Sequence, residues 1–169
     1  MKVAIGQDSH KIDDKNKDKK LVLGGIEFKE NYSLVANSDG DVVLHAVTNA
    51  ISGITCKNIL GKIADDMCKR GITDSEEYLK EALKYLEGQI IHLSIAIECQ
   101  TPKINPKIEE MRRNLARILE IKENCIGITA TTGEGLTEFG KGNGISAFAC
   151  LTVETFHPIE RKHLKGDEN

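Results

Sequence analysis

Apolar and polar residues alternate with a period of two along several stretches of the chain. This pattern predicts β-strands, because successive side chains of a strand point to opposite faces. The first stretch, Lys2–Asp8, continues through Ser9 and His10. The other predicted strands cover residues 91–97, 126–132 and 145–153. A Gly24-Gly25 pair separates two apolar runs within residues 21–28, which predicts a β-hairpin.

The stretch from Asn37 to Ser52 joins turn residues to apolar residues at helical spacing, and it predicts the helix around which the chain is organised. Ser38 and Asp41 have the S-x-x-D spacing of a capping box. The apolar positions of this helix are Val43, Val47, Ala50 and Ile54. The opposite face carries Asp41, His45, Thr48, Asn49 and Ser52.

Two further helices are predicted by the same spacing. One begins at a second capping box, Thr73–Glu76, and ends at Gly88. The other is capped by Asn105 with Pro106 at its first position. Its core face comprises Ile108, Met111, Leu115, Ile118 and Leu119. Residues 56–71 mix polar and small apolar side chains and give no clear secondary structure.

The order of these elements predicts an α+β, two-layer domain in which a mixed four-stranded sheet carries helices on one face. The second face of the sheet has small or apolar residues such as Ala96, Phe148 and Cys150. We therefore expect self-association to bury that face. The expected domain covers residues 1–156, and residues 157–169 form a polar C-terminal tail.

Composition excludes several functional classes. The net charge is -3 and aromatic residues make up 4% without any Trp, so neither nucleic acid nor an anionic membrane surface is an expected partner. No apolar run is long enough to span a bilayer. The chain leads directly into a strand, which predicts a cytoplasmic location, or a plastid-type organelle if a targeting segment was removed. Its five cysteines include no C-x-x-C pair and are expected to be reduced.

Asp8, His10 and His45 are candidate metal ligands. Asp8 and His10 are two residues apart in a strand, so both side chains leave the same face. A carboxylate and two imidazoles with one open position are typical of a catalytic zinc site. Each residue alone has an ordinary structural explanation, since D-x-H triplets are common and a helical His is often simply hydrogen-bonded. The prediction of a metal site therefore depends on the three residues occurring together.

Five segments occur in an order that resembles the 2-C-methyl-D-erythritol 2,4-cyclodiphosphate synthase family of the non-mevalonate isoprenoid pathway. They are D-S-H, LVLGGI, S-D-G-D-V-x-L-H-A, T-P-K-I-N-P and A-T-T-x-E. The resemblance implies a homotrimer with active sites between adjacent subunits. It also implies a CDP-linked methylerythritol 2-phosphate substrate, whose 2-phosphate attacks the β-phosphorus to close a cyclic diphosphate and release CMP.

The resemblance also assigns roles to individual residues. Asp8, His10 and His45 match the zinc ligands, and Glu134 matches the carboxylate that holds a second divalent ion, Mg²⁺ or Mn²⁺. Thr131 and Thr132 match phosphate contacts. The cytidine pocket is matched by Cys99, Gln100, Lys103, Ile104, Asn105 and Ala130. Lys141 matches a basic position along the trimer axis.

Some positions depart from the family pattern. Family members usually carry His at the position of Asn37, an acid at Asn49 and an Asp at Ile59. The last of these belongs to the segment that lines the pocket for the diol. The glycine-rich segment has Asn143 in place of an acid, and its Lys141 replaces an Arg.

Three functions follow from these observations. The first is the cyclodiphosphate synthase. The second is a trimeric zinc-binding paralogue that acts on or binds another nucleotide or diphosphate ligand. The third is a non-enzymatic trimer in which the metal serves binding or structure. Retention of the metal ligands together with Glu134 and a phosphate-binding loop disfavours the third.

Overall fold

The computed structural model describes residues 1–16 and 18–155, and it arranges them as a sheet with helices packed on one face. The strands are β1 Lys2–Asp13, β2 Leu21–Leu23, β3 Ile26–Phe28, β4 Ser33–Leu34, β5 Gln89–Glu98, β6 Ile126–Thr131 and β7 Gly144–Glu154. The helices are α1 Val42–Thr55, α2 Lys62–Lys69, α3 Ser75–Leu83 and α4 Ile108–Leu119. Short 3₁₀ turns cover Asn105–Lys107, Glu123–Cys125 and Gly133–Gly135.

The main sheet has the strand order β4-β1-β7-β5-β6, and β2 and β3 form the predicted hairpin beside it. β7 runs antiparallel to both β1 and β5, while β6 is parallel to β5. Consequently β1, β5 and β6 all point in one direction, and their carboxyl ends lie at the same edge of the sheet. The two-layer α+β architecture is thus confirmed. The sheet has five strands rather than four because the two-residue β4 pairs with the end of β1.

Helix α1 is the centre of the helical layer, and it lies against β1, β7 and α3. Gly6 allows this close approach, because a Cβ at this position would lie 2.0 Å from the Ala46 carbonyl oxygen. Most of the polar face of α1 does not face water. His45, Thr48 and Ser52 are all buried, since α3 and the loops that precede it cover that face. Tertiary packing thus overrides the amphipathic pattern.

The start of α1 differs from the predicted capping box. Asp41, not Ser38, is the N-cap residue, and its Oδ1 accepts the Val43 and Leu44 N–H groups at 3.0 Å. The same buried carboxylate also accepts the N–H groups of Gly24 at 2.8 Å and Gly25 at 2.6 Å. One side chain therefore joins the hairpin to the helix. Burial raises the pKa of Asp41 to about 6, and the backbone hydrogen bonds oppose that rise.

The other helices also differ at their ends. α3 is capped by Asp74 rather than Thr73, and it ends at Leu83, well before Gly88. Asn105 begins a 3₁₀ turn that leads into α4 and does not cap it. α2 lies in the unassigned stretch, and only Ala64 and Met67 of its eight residues are buried. Its apolar residues have helical spacing, but they cover only two turns, and no side chain caps the start of the helix.

The second face of the sheet leaves large apolar side chains exposed. Val3, Ile5 and Phe148 retain 62%, 70% and 51% of their accessible surface in the single chain. These residues lie on neighbouring strands β1 and β7. The predicted tail, 157–169, and the predicted boundary at residue 156 lie outside the described residues. Among the described residues, no helix combines the length and the apolar character that crossing a membrane requires.

Replacing Asp41 with Asn tests the link between hairpin and helix. All four neighbours of the carboxylate are N–H donors, so the amide group of Asn turns a donor toward at least one of them. We expect a loss of about 1–3 kcal/mol in the free energy of unfolding. Urea unfolding at one fixed protein concentration and pH 7.5 measures it.

Asp74→Asn is the matched control, because Asp74 caps α3 through the Glu76 N–H alone and Asn is an equally good N-cap residue. We expect this variant to stay within about 0.5 kcal/mol of the wild type. Equal losses in the two variants would show that the hairpin does not depend on Asp41.

Candidate metal centre

Asp8, His10 and His45 meet where β1 passes the first turn of α1. The strand period directs Asp8 and His10 toward the helical layer, and His45 is the fourth residue of α1. Asp8 Oδ2 lies 2.9 Å from both His10 Nε2 and His45 Nδ1. The two imidazole nitrogens are 3.3 Å apart. The structure therefore brings the three predicted ligands together.

The geometry of this triad fits a divalent metal ion. Tetrahedral coordination with bonds of about 2.0–2.1 Å separates neighbouring ligand atoms by about 3.3–3.4 Å. The observed separations of 2.9–3.3 Å approach that value without any rearrangement of the backbone. Three protein ligands also leave the fourth position for a water molecule or a substrate oxygen. The same three residues form a group of metal-ligating side chains whose ligand atoms all lie within 4.8 Å.

The charge of Asp8 suits this role. Burial alone would raise its pKa, but hydrogen bonds and attraction from His10 and His45 outweigh burial and hold the pKa of Asp8 well below its ordinary value. The carboxylate is therefore ionised at neutral pH. Ionised carboxylate and neutral imidazole are the forms that bind a metal ion.

A cavity of about 350 Å³ opens beside the triad. One wall is the segment Ala36–Ser38, and the other is α2 with the residues just before it. The second wall contributes Leu60, Gly61, Ala64, Asp65 and Cys68. Tyr78 of α3 completes the lining.

Lys19 fixes the first wall of this cavity. Its Nζ donates to the carbonyl oxygens of Leu34 at 2.7 Å and Ala36 at 3.1 Å. Partial burial lowers the pKa of Lys19, although attraction from Asp39 and Asp13 opposes the shift. A lysine from the charge-rich run between β1 and β2 thus shapes the segment that faces the triad.

Three of the departures from the family pattern, at residues 37, 49 and 59, occupy different environments. Asn37 lines the cavity. Asn49 lies outside it and donates from Nδ2 to the Gln7 carbonyl oxygen at 3.0 Å. Ile59 is fully buried in the core and is not part of the cavity lining. The carboxylate that the cavity presents from this region is Asp65, which lies in the stretch that sequence patterns left unassigned.

A second pocket, also of about 350 Å³, lies at the carboxyl ends of β5 and β6. Its lining contains eight predicted binding residues: Cys99, Gln100, Lys103, Ile104, Asn105, Ala130, Thr131 and Thr132. Pro102 and Pro106 complete it. Two backbone hydrogen bonds hold its walls together, from Cys99 N to the Thr131 oxygen at 3.1 Å and from Gln100 N to the Phe139 oxygen at 3.0 Å. Burial raises the pKa of the Cys99 thiol to about 11, so this thiol stays protonated at neutral pH.

Glu134 and Lys141 are the two predicted residues that line neither pocket. Glu134 is exposed in the turn that follows Thr132, and its backbone has the left-handed φ of 51° between Gly133 and Gly135. Non-glycine residues adopt this conformation rarely, and it is enriched at functional sites. Lys141 is exposed and pairs with Glu138 at 3.1 Å.

The triad and the second pocket lie at the same edge of the sheet but do not meet. Asp8 pairs with Ala147, Ala147 pairs with Ile97, and Ile97 pairs with Ala130. Three interstrand steps of 4.7–4.9 Å separate the ends of this row, which is about 14 Å. The two pockets share no lining residue.

Two residues next to the candidate metal centre, Ser75 and Asp39, were not indicated by the sequence patterns. Ser75 Oγ lies 2.8 Å from His45 Nε2, and Ser75 also donates to the carboxylate of Asp39. The sequence presents both as turn and capping residues, and only the fold brings them to His45. The only sequence feature that points to these two residues is that each is a polar residue in a motif that starts a helix.

Comparisons with known proteins agree on one family. The family model described as the YgbB family matches residues 1–154. The 2-C-methyl-D-erythritol 2,4-cyclodiphosphate synthase of Chlamydia muridarum is 50% identical over 160 residues, covering 93% of this chain and 90% of that protein. The synthase of Chlamydia caviae is 46% identical and covers 92% of this chain and 90% of its own length.

A solved structure of a 2C-methyl-D-erythritol-2,4-cyclodiphosphate synthase in its CDP-bound form also resembles this chain. The TM-score is 0.79 at 25% identity, and the match covers 90% of this chain and all of that one.

His45→Ala tests the metal centre directly. Removal of one imidazole leaves two ligands, so we expect the variant to lose one equivalent of bound divalent metal per chain. Elemental analysis after dialysis measures it. His92→Ala is the matched control, because His92 is exposed on β5 and distant from the triad in the sheet register. Equal metal content in the two variants would exclude the triad as the metal site.

Proposed function

The chain belongs to the YgbB family, and from this membership we propose that it is a 2-C-methyl-D-erythritol 2,4-cyclodiphosphate synthase. In the proposed reaction, the 2-phosphate of 4-diphosphocytidyl-2-C-methyl-D-erythritol 2-phosphate attacks the β-phosphorus. A phosphorus–oxygen bond forms within the cyclic diphosphate and the bond to CMP breaks, so the enzyme acts as a phosphorus–oxygen lyase. The observation that carries the proposal is the metal-binding triad at the same sheet edge as a pocket suited to a nucleotide.

We assign zinc to the triad of Asp8, His10 and His45. A catalytic zinc site typically has three protein ligands, such as one carboxylate and two imidazoles, and leaves the fourth position open. Zinc held there supplies Lewis acidity toward a phosphoryl oxygen. The protein contributes the orientation: β1 and α1 hold the three ligands rigidly, and the neighbouring cavity has room for the methylerythritol part of the substrate.

The second pocket is proposed to bind the cytidine diphosphate part. A cyclodiphosphate synthase solved with bound CDP has the same fold, which supports this assignment. Buried Pro102 and Ile104 offer an apolar surface for a base. The exposed Lys103 and the hydroxyl groups of Thr131 and Thr132 are placed to contact phosphate oxygens at the mouth of the pocket.

Glu134 would hold a second divalent ion, Mg²⁺ or Mn²⁺. Its carboxylate is exposed in the turn that leaves the pocket lining at Thr132. Magnesium is usually bound by one or two carboxylates together with substrate phosphates. A single exposed acid beside a phosphate-binding wall fits that requirement.

The active site is proposed to form between adjacent subunits of a homotrimer. Within one chain the triad and the nucleotide pocket share no lining residue and lie about 14 Å apart across the sheet. The exposed Val3, Ile5 and Phe148 provide an apolar surface for association. In that trimer Lys141 would face the central axis. A cytoplasmic location stays a prediction from the sequence.

One observation favours a second candidate, a trimeric zinc-binding paralogue that takes another nucleotide or diphosphate ligand. Ile59 is buried, so no carboxylate reaches the metal cavity from the position where the family usually has Asp. The cavity instead carries Asp65 beside the apolar Leu60 and Ala64. These residues could select a different group next to the triad.

Turnover of 4-diphosphocytidyl-2-C-methyl-D-erythritol 2-phosphate tests the proposal. The zinc-loaded protein with added Mg²⁺ or Mn²⁺ should release CMP and form a cyclic diphosphate, which phosphorus NMR distinguishes from a linear one. His45→Ala should abolish the product. Binding of CMP without turnover would instead support the paralogue, and absence of both would refute nucleotide chemistry altogether.

Glu134→Gln tests the second ion. The amide keeps the size of the side chain but removes its charge, so we expect unchanged zinc content and at least a tenfold higher Mg²⁺ concentration for half-maximal activity. Glu123→Gln is the control, because Glu123 is also an exposed acid in a 3₁₀ turn but lies outside both pockets. A Mg²⁺ titration that matches the wild type in both variants would refute the role of Glu134.

A further inference from the structure

His45 has two distinct environments for its two ring nitrogens. Nδ1 faces the triad, 2.9 Å from Asp8 Oδ2 and 3.3 Å from His10 Nε2. Nε2 faces away from it and lies 2.8 Å from Ser75 Oγ. Ser38 Oγ is farther from the same nitrogen, at 3.5 Å. The ring is therefore held between the metal side and one buried serine.

Ser75 is fully buried and is itself held by Asp39. The Ser75 hydroxyl donates to Asp39 Oδ1, and the Ser75 N–H donates to Asp39 Oδ2 at 3.0 Å. The Asp39 N–H donates to the Thr73 carbonyl oxygen at 2.8 Å. These three contacts join the turn before α1 to the start of α3. The serine hydroxyl has little freedom to rotate away from His45.

The direction of the hydrogen bonds follows from metal binding. If Nδ1 gives its lone pair to a metal, Nε2 must carry the proton of the neutral imidazole. Nε2–H then donates to Ser75 Oγ, and the Ser75 O–H donates to the Asp39 carboxylate. Metal-bound histidines usually donate their second N–H to a carboxylate or another acceptor, and this partner fixes the ring and its tautomer.

We propose that Ser75 and Asp39 are positioning residues that hold His45 as an Nδ1 metal ligand. This inference rests on the proposed metal site and deepens it. The serine relays the negative charge of Asp39 to the imidazole and selects the tautomer whose Nδ1 is free for the ion. It also ties the metal centre to α3, and thereby to the segment between α1 and α3 that forms one wall of the cavity.

Ser75→Ala is the first test. It removes the hydroxyl that accepts from His45, and we expect zinc affinity to fall by about 10- to 100-fold. Competition with a chromophoric chelator measures the zinc dissociation constant. The visible absorption spectrum of the cobalt-substituted protein should also change, because His45 loses its orientation.

Two variants separate this role from a general loss of structure. Ser75→Thr keeps the hydroxyl and should restore zinc affinity to within a few-fold of the wild type. Ser33→Ala removes another fully buried hydroxyl, one for which the described residues offer no hydrogen-bond partner, and it should leave zinc affinity unchanged. Melting of the zinc-free proteins checks that Ser75→Ala still folds.

The outcomes distinguish the relay, meaning the hydrogen bonds from His45 through Ser75 to Asp39, from the metal site itself. Weak zinc binding in Ser75→Ala, with normal binding in the other two variants, supports the relay. Equal affinity and an unchanged cobalt spectrum in Ser75→Ala would overturn the relay and leave the metal site intact. If Ser75→Ala does not fold, the test passes to the other variants. Weak zinc binding by Ser75→Thr would then overturn the relay. Wild-type zinc affinity in Ser75→Thr, together with weaker zinc binding in Asp39→Ala, would support it. A wild-type chain without zinc at the triad would overturn both.

Discussion

The close packing of α1 on β1 is the constraint on which the candidate metal centre depends. Gly6 has no side chain, and the Ala46 carbonyl oxygen occupies the space that a Cβ would need. Gly6 is two residues before Asp8, and Ala46 directly follows His45. The glycine therefore sets the distance between the strand that carries two candidate ligands and the helix that carries the third. Any larger residue would push His45 away from Asp8.

The turn Ser38–Asp41 fixes the position of the start of α1. Asp41 binds the hairpin and the first turn of α1 with one carboxylate, while Asp39 holds the start of α3. Both acids lie within a few residues of His45. Buried polar groups stabilise a fold only when they are satisfied, and here each hydrogen bond also restrains the imidazole. Stability and ligand geometry thus depend on the same short segment.

Alternation and helical spacing were enough to predict the main strands, three of the four helices and the two-layer class. The D-x-H spacing and His45 also identified the triad. Other features are tertiary in origin. The polar face of α1 is buried because α3 covers it, and Ser75 reaches His45 only after the chain has folded over the cavity. α2 was missed because it is only eight residues long and no side chain caps its start. β4 has only two residues, too few to show the alternation that predicts a strand.

The position of β7 has a consequence for biosynthesis. This strand is the last in the described chain, yet it lies at the centre of the sheet and pairs Lys2 with Val153. Until β7 has been synthesised, β1 and β5 have no partner between them, and their edges are open to pairing with other chains. Such non-local pairing slows folding and leaves the unfinished chain prone to aggregation.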